Sequence, residues 1–248
     1  MPSAKEMPRE GKLFHVVPVI DLRGGGVVHA RRGERGRYPP LRSSLCAGND
    51  PVDVVGGLLG LHPFRTVYAA DLDAIEGAGD NRAALARLKA AFPETGFWVD
   101  GGFRSADSVR GFVASGLGDA VLGSEGLEGL EPLAALKADP AAWTRVILSL
   151  DFRDRFVGPP DLLERASLWP DRVIAMTLAR VGSGEGPDWT RLAEVGRANP
   201  QARLFAAGGV RDGNDLRELA ARGSAGALVA TALHDGRIDG AALEALAR

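Results

Sequence analysis

Short apolar runs alternate along the chain with longer stretches whose apolar residues recur on one helical face. Eight runs read as strands: residues 14–20, 66–70, 96–100, 120–123, 145–150, 172–177, 203–207 and 226–230. Each is short, largely apolar and without clean polar alternation, the pattern of parallel strands covered on both faces. Between them the spacing predicts amphipathic helices. Over residues 81–92, Ala84, Leu85, Leu88, Ala91 and Phe92 fall at i, i+1, i+4, i+7 and i+8, a single helical stripe. Asp50-Pro51 reads as an N-cap followed by proline at the first helical position, opening the helix before the second strand. Strand–helix pairs without a linker or low-complexity segment predict one α/β domain over residues 14–248, preceded by a polar N-terminal segment, residues 1–13.

The same alternation would serve an open doubly wound sheet or a closed barrel, and an internal repeat decides between them. Residues 101–126 align without a gap on residues 208–233. Gly101-Gly102-Phe103-Arg104 returns as Gly208-Gly209-Val210-Arg211, and Val109, Phe112 and Val113 return as Leu216, Leu219 and Ala220. Upstream, Val19-Ile20-Asp21-Leu22-Arg23 is similar to Ser149-Leu150-Asp151-Phe152-Arg153. Self-similarity at an offset of about half the chain length predicts two copies of a four-strand half-barrel, hence a single (β/α)₈ TIM barrel. The length of 248 residues is the usual size of that fold.

Charge and composition mainly exclude. A formal charge of −2, with 25% charged residues, gives no reason to expect nucleic acid or an anionic membrane as partner. The single cysteine, Cys46, excludes an intramolecular disulfide framework and is compatible with a reducing cytoplasm. Residues 1–13 lack the apolar core of a secretory signal, and nothing reaches the roughly 18 apolar residues of a membrane span. A cytoplasmic protein is expected.

Candidate chemistry gathers at the strand ends, the face on which barrel enzymes act. Asp21 and Asp151 end strands 1 and 5, opposite each other across a barrel. Two such carboxylates can address one substrate, one protonated as acid and one ionised as base. The plainer reading, that each caps the loop after its strand, is weakened by their equivalent places in the repeat. Gly101-Gly102 with Gly123-Ser124, and Gly208-Gly209 with Ala230-Thr231, are candidate phosphate-binding turns, since glycine exposes backbone N–H groups to an anion. The competing reading is a set of tight turns only. Lys5, Lys12, Lys89 and Lys137 avoid the strand ends, which argues against a Schiff-base lysine. The histidines and Cys46 show no metal-ligand spacing, so neither metal nor cofactor is expected. His29, just beyond strand 1, is the one histidine placed to touch a ligand, and Trp98 reads as barrel packing.

These residues carry a family resemblance. Pro18-Val19-Ile20-Asp21-Leu22, Asp71-Leu72-Asp73 with Asn81, Asp100-Gly101-Gly102-Phe103-Arg104, Leu150-Asp151-Phe152-Arg153 and Ala207-Gly208-Gly209-Val210 resemble the ProFAR isomerases of histidine biosynthesis. The chain is less closely similar to the cyclase subunit of imidazole glycerol phosphate synthase, which has Cys where this chain has Ile20. The resemblance implies an Amadori rearrangement of an aminoaldose phosphate, with Asp21 and Asp151 as acid and base and Thr177 assisting. The chain also departs from that pattern. Phe156-Val157-Gly158-Pro159-Pro160 replaces the Gly-Trp after strand 5, and Thr177-Leu178-Ala179-Arg180 lacks the acidic residue and Arg-Asp-Gly-Thr run after strand 6. Ala230-Thr231 replaces Gly-Arg after strand 8, and His29 replaces an Arg. The long segment 33–49, with Tyr38-Pro39-Pro40-Leu41-Arg42-Ser43, resembles a side branch found in organisms that make methanopterin-type one-carbon carriers. Three readings stand: a paralogue acting on a phosphorylated small molecule in carrier biosynthesis, a ProFAR isomerase, or a barrel subunit that has lost the reaction.

Overall fold

The computed structural model describes residues 14–246; the predicted N-terminal segment 1–13, with Lys5 and Lys12, lies outside the described residues. Eight parallel strands pair in chain order: β1 (His15–Arg23), β2 (Thr66–Asp71), β3 (Gly96–Asp100), β4 (Asp119–Gly123), β5 (Val146–Phe152), β6 (Arg172–Thr177), β7 (Arg203–Ala207) and β8 (Gly226–Val229). β8 pairs back on β1, with His15 opposite Gly226 and Pro18 opposite Val229, so the sheet closes into a (β/α)₈ barrel. Helices fill the outside because strands paired in parallel need a crossover.

Each side chain faces one of two cores, according to its parity along the strand. Val17, Tyr68, Trp98, Val121, Ile147, Ile174, Phe205 and Leu228 point into the barrel. Trp98 meets Phe205 edge to face there, centroids 4.9 Å apart, which bears out its reading as packing. The alternate residues, among them Ile20, Val67, Val99, Leu122, Leu148 and Val173, pack outward against the helices. Asp50 caps Pro51–Leu61 as expected, accepting from the Val52 N–H at 2.9 Å. Ala84, Leu85 and Leu88 form the buried stripe of Arg82–Ala91, whereas Ala91 ends exposed at the helix terminus.

The repeat is visible in three dimensions. Helices Ala106–Ala114 and Gly213–Ala221 have equal length and equivalent places, capped by Ser105 and Asp212. The sequence ended strands 1 and 5 at residues 20 and 150, but β1 runs to Arg23 and β5 to Phe152. Each continues past the rim into an antiparallel hairpin, β1 with Gly26–Val28 and β5 with Phe156–Val157. Those partners supply ladder hydrogen bonds that an isolated strand end would lack. The two halves diverge after β5, where the helix is reduced to Asp161–Glu164.

Candidate active site

Asp21 and Asp151 occupy inward positions at the C-terminal rim, where their strands turn into the hairpins. Asp21 lies between Ala70 of β2 and Val28, and Asp151 between Met176 of β6 and Val157. Both line one cavity of about 110 Å³, together with Asp100, Glu125, Arg35 and Tyr68.

Burial sets the electrostatics. Loss of water disfavours the ionised form of Asp21 and pushes it up to about 7; the Arg35 guanidinium pulls the other way. Asp21 accepts no side-chain hydrogen bond among the described residues. Asp151, 5% exposed, is likewise pushed to about 7 by burial, and the negative charges of Asp100 and Glu125 add to the rise. The Ser149 hydroxyl, donating to Oδ1 at 2.7 Å, and the Glu125 N–H, donating to Oδ2 at 3.1 Å, oppose it. Asp100 reaches about 6 through burial, held down by the Gly102 N–H at 3.0 Å. Burial and the neighbouring carboxylates raise Tyr68 too; its hydroxyl lies 3.5 Å from Asp100 Oδ2. Two groups near 7 facing one cavity are suited to exchanging protons with a substrate at neutral pH.

The remaining sequence candidates divide. Gly208, Gly209, Ala230 and Thr231 line the same cavity as the two aspartates. Outside the strand ladders, no hydrogen bond among the described residues uses the N–H of Gly208, Gly209 or Ala230. Thr231 Oγ1 lies 3.3 Å from His29 Nε2, and Arg237 adds a guanidinium to this end of the cavity. Gly101 and Gly102 instead line a separate shallow groove with Arg82, Phe103, Arg104 and Ser105. A methyl on Gly102 (φ +64°) would lie 2.7 Å from Ile75 Cα, and one on Gly208 or Gly209 would run into the Thr177 or Gly186 carbonyl, so close packing already accounts for glycine at all three positions. Ser124 is fully buried; its hydroxyl donates to the Val157 carbonyl at 2.6 Å and accepts the Asp151 N–H at 2.9 Å. Gly123 lies beside Asp100 and Asp151.

Thr177 is not brought into the cavity. Met176 takes the inward position of β6, and Thr177, 4% exposed, has its hydroxyl 3.5 Å from the Asp188 carboxylate. Counting alternate positions from the inward Ile174 reaches Met176, not Thr177. Sequence reasoning also missed Arg35, Glu125, Tyr68 and Arg237, and treated Asp100 only as part of a motif. For Asp100 and Tyr68 a signal existed, since both share the parity of Trp98 and Ala70 on strands already identified.

Other motif residues hold the rim in place. Asn81 Oδ1 accepts the Gly25 N–H at 2.8 Å, its amide donates to Asp71 at 2.7 Å and Asp73 at 2.9 Å, and Asp73 accepts the Gly24 N–H at 2.7 Å. The Asp71-Leu72-Asp73 and Asn81 set thus pins the β1 hairpin turn. The long segment after that hairpin folds over the mouth. Arg35 pairs with Glu125, Leu41 is buried, and Ser43 Oγ lies 2.9 Å from Nδ1 of His234. Among the described residues no group of three or more His, Cys, Asp or Glu is placed to hold a metal ion, and no helix is long and apolar enough to cross a membrane.

Residues 15–239 match the family model described as histidine biosynthesis protein. Among curated relatives, a 1-(5-phosphoribosyl)-5-((5-phosphoribosylamino)methylideneamino) imidazole-4-carboxamide isomerase of Alkalilimnicola ehrlichii is 28% identical, over 94% of this chain and 97% of its own. The isomerase of the same name from Myxococcus xanthus is 29% identical over 92% and 96%. An uncharacterized protein of Methanocaldococcus jannaschii is 27% identical over 90% and 95%.

Proposed function

The chain belongs to the family of histidine biosynthesis proteins, and from that premise we propose that it is a barrel isomerase with Asp21 and Asp151 as its acid–base pair. The observation that carries this reading is the pair of carboxyls, each pushed to about 7, facing one cavity from opposite strands. The reaction class is the aldose–ketose or Amadori type. One carboxyl protonates the ring oxygen of a glycosylamine and opens the ring, and the other takes the proton from C2. The resulting enolamine then tautomerises to the aminoketose. The substrate is a phosphorylated small molecule, as the names of the relatives imply for those proteins. Its phosphate goes to the N–H groups of Gly208, Gly209 and Ala230, the Thr231 hydroxyl and the Arg237 guanidinium. A second phosphate at Gly101, Gly102, Gly123 and Ser124 has less support, because Gly101 and Gly102 face another groove and the Ser124 hydroxyl is engaged internally.

The pathway we favour is the making of a one-carbon carrier of methanopterin type, rather than histidine. Two features support a changed substrate: the segment 33–49 over the mouth and the missing indole after β5. Misplacement of a reacting group by about 1 Å can cost on the order of 100-fold in rate. The test is complementation of a strain lacking the histidine isomerase, with turnover of the purified protein on ProFAR. Absent growth with turnover far below about 1 per second is expected. Robust growth would make the protein a divergent histidine enzyme.

A further inference from the structure

Thr231 stands between two cavities. On one side it lines the large cavity with Gly208, Gly209 and Arg237; on the other it lines a small pocket of about 10 Å³ with Asp21, His29 and His234. A pocket of that size admits no more than about one water molecule. His29 lines the small pocket and not the large one, so a phosphate in the large cavity does not reach it. The link between them is the Thr231 hydroxyl, 3.3 Å from His29 Nε2.

The surroundings hold His29 in place. Its backbone N–H donates to the Pro39 carbonyl at 2.8 Å, and Val28 before it bridges to Pro40, so the segment over the mouth fixes the residue. His234, the other imidazole of the pocket, is committed elsewhere. Ser43 Oγ accepts the Leu45 N–H at 3.0 Å and gives its own hydrogen to His234 Nδ1 at 2.9 Å. Burial and the neighbouring His29 push His234 down to about 4, so it sets no positive charge against His29 at neutral pH.

A threonine hydroxyl has one hydrogen to give and two lone pairs to receive. With a hydrogen on Nε2, His29 donates to Thr231 Oγ1, and the threonine hydrogen is free to point into the large cavity. With Nε2 bare, the threonine hydrogen is drawn the other way. Only the first arrangement suits an anion, and donors in series polarise one another. Arg237, the guanidinium at this end, is already shared between the Asp235 carboxylate at 3.2 Å and the Arg211 carbonyl at 3.3 Å, so an anion there draws more on its hydroxyl and amide donors.

We propose that His29 is a positioning residue for the phosphate: its Nε2–H donates to Thr231 and turns the threonine hydrogen toward the bound anion. This rests on the phosphate reading above and names the group that orients one of its ligands.

The experiment titrates inorganic phosphate calorimetrically into the full chain and its variants. His29→Ala and Thr231→Val should each weaken binding by roughly tenfold, the value of a hydrogen bond to a charged group. The double variant should bind within about twofold of either single one, because both remove the same link. His29→Gln, whose amide can stand at Nε2, should stay within about threefold of the parent, whereas His29→Asn, which reaches only the Nδ1 position, should behave as the alanine does. Nitrogen NMR of the phosphate complex should show His29 Nε2 protonated. Melting curves establish that the variants are folded, and the Gln–Asn comparison stands independently if the alanine or valine disturbs packing. A parent that binds phosphate while His29→Ala binds it equally well would overturn this proposal alone. So would losses that add in the double variant, a Gln variant no better than Asn, or a bare Nε2 in the complex. A parent that binds no phosphate would overturn the phosphate reading, and this proposal with it.

Discussion

Replacing Asp151 by Asn should make the protein less active and, at neutral pH and above, more stable. A carboxyl whose folded-state pKa lies above its unfolded one favours the folded protein fully only at low pH. That contribution is lost as pH rises from about 4 to the folded value near 7. A rise from 3.8 to about 7 corresponds to about 4 kcal/mol, since the group is almost fully buried. Asn at the same place faces both the Ser149 hydroxyl and the Glu125 N–H with only one acceptor oxygen, which returns about 1 kcal/mol. Asp100 also relaxes once its negative neighbour is gone, a small gain in the same direction. The net expectation is about 3 kcal/mol at pH 8, or roughly 6–12 °C in Tm for a chain of this size. Near pH 4 the difference should shrink to nearly nothing. Paired melting curves of parent and variant from pH 4 to 8 measure this, and the comparison cancels titrations common to both. Activity should fall by about 10²–10⁴, the usual share of a general acid or base. A stability difference flat across this range, or a variant less stable at pH 8, would refute the claim that the fold holds this carboxyl high.

Three further expectations follow from the same geometry. Arg35→Met removes the charge that holds Asp21 down, so the pKa of Asp21, and the limb of the pH–rate profile that reports it, should move upward; an unmoved limb would separate the two residues. Gly209→Ala sets a methyl against the Gly186 carbonyl at φ +86° and should cost about 1–3 kcal/mol by chemical denaturation, with loss of phosphate affinity. Asn81→Ala removes the bonds that pin the β1 hairpin turn and should also cost about 1–3 kcal/mol; hydrogen exchange at the Gly24 and Gly25 amides should then speed up, and unchanged exchange would deny Asn81 its pinning role.

The barrel was legible because its evidence is periodic. Short apolar runs mark parallel strands, and the gapless match of residues 101–126 to 208–233 reappears as two nine-residue helices in equivalent places. Asp21 and Asp151 were legible for the same reason, as matched positions in a repeat. Thr177 shows where such reading stops: being last in a strand says nothing about which face a side chain takes, and one residue of parity exchanged it for Met176. Arg35 and Arg237 were out of reach, since each comes from an aperiodic connection whose path depends on distant partners, Glu125 in one case and the Arg211 carbonyl in the other. Gly123 could not be placed from the sequence. Small residues after a strand look alike whether they leave room for a ligand or pack against their own neighbours, here the carboxyls of Asp100 and Asp151.

The two hairpins that extend β1 and β5 have a mechanical consequence. Asp21 and Asp151 are each gripped from both sides, by a parallel neighbour and by the returning strand, well before the chain reaches its connecting loops. The surrounding loops can lengthen, shorten or exchange residues without shifting either carboxyl. A lineage built this way can change its loops one at a time while keeping these two carboxyls still. The long segment after β1 and the shrunken helix after β5 are departures that such a scaffold tolerates.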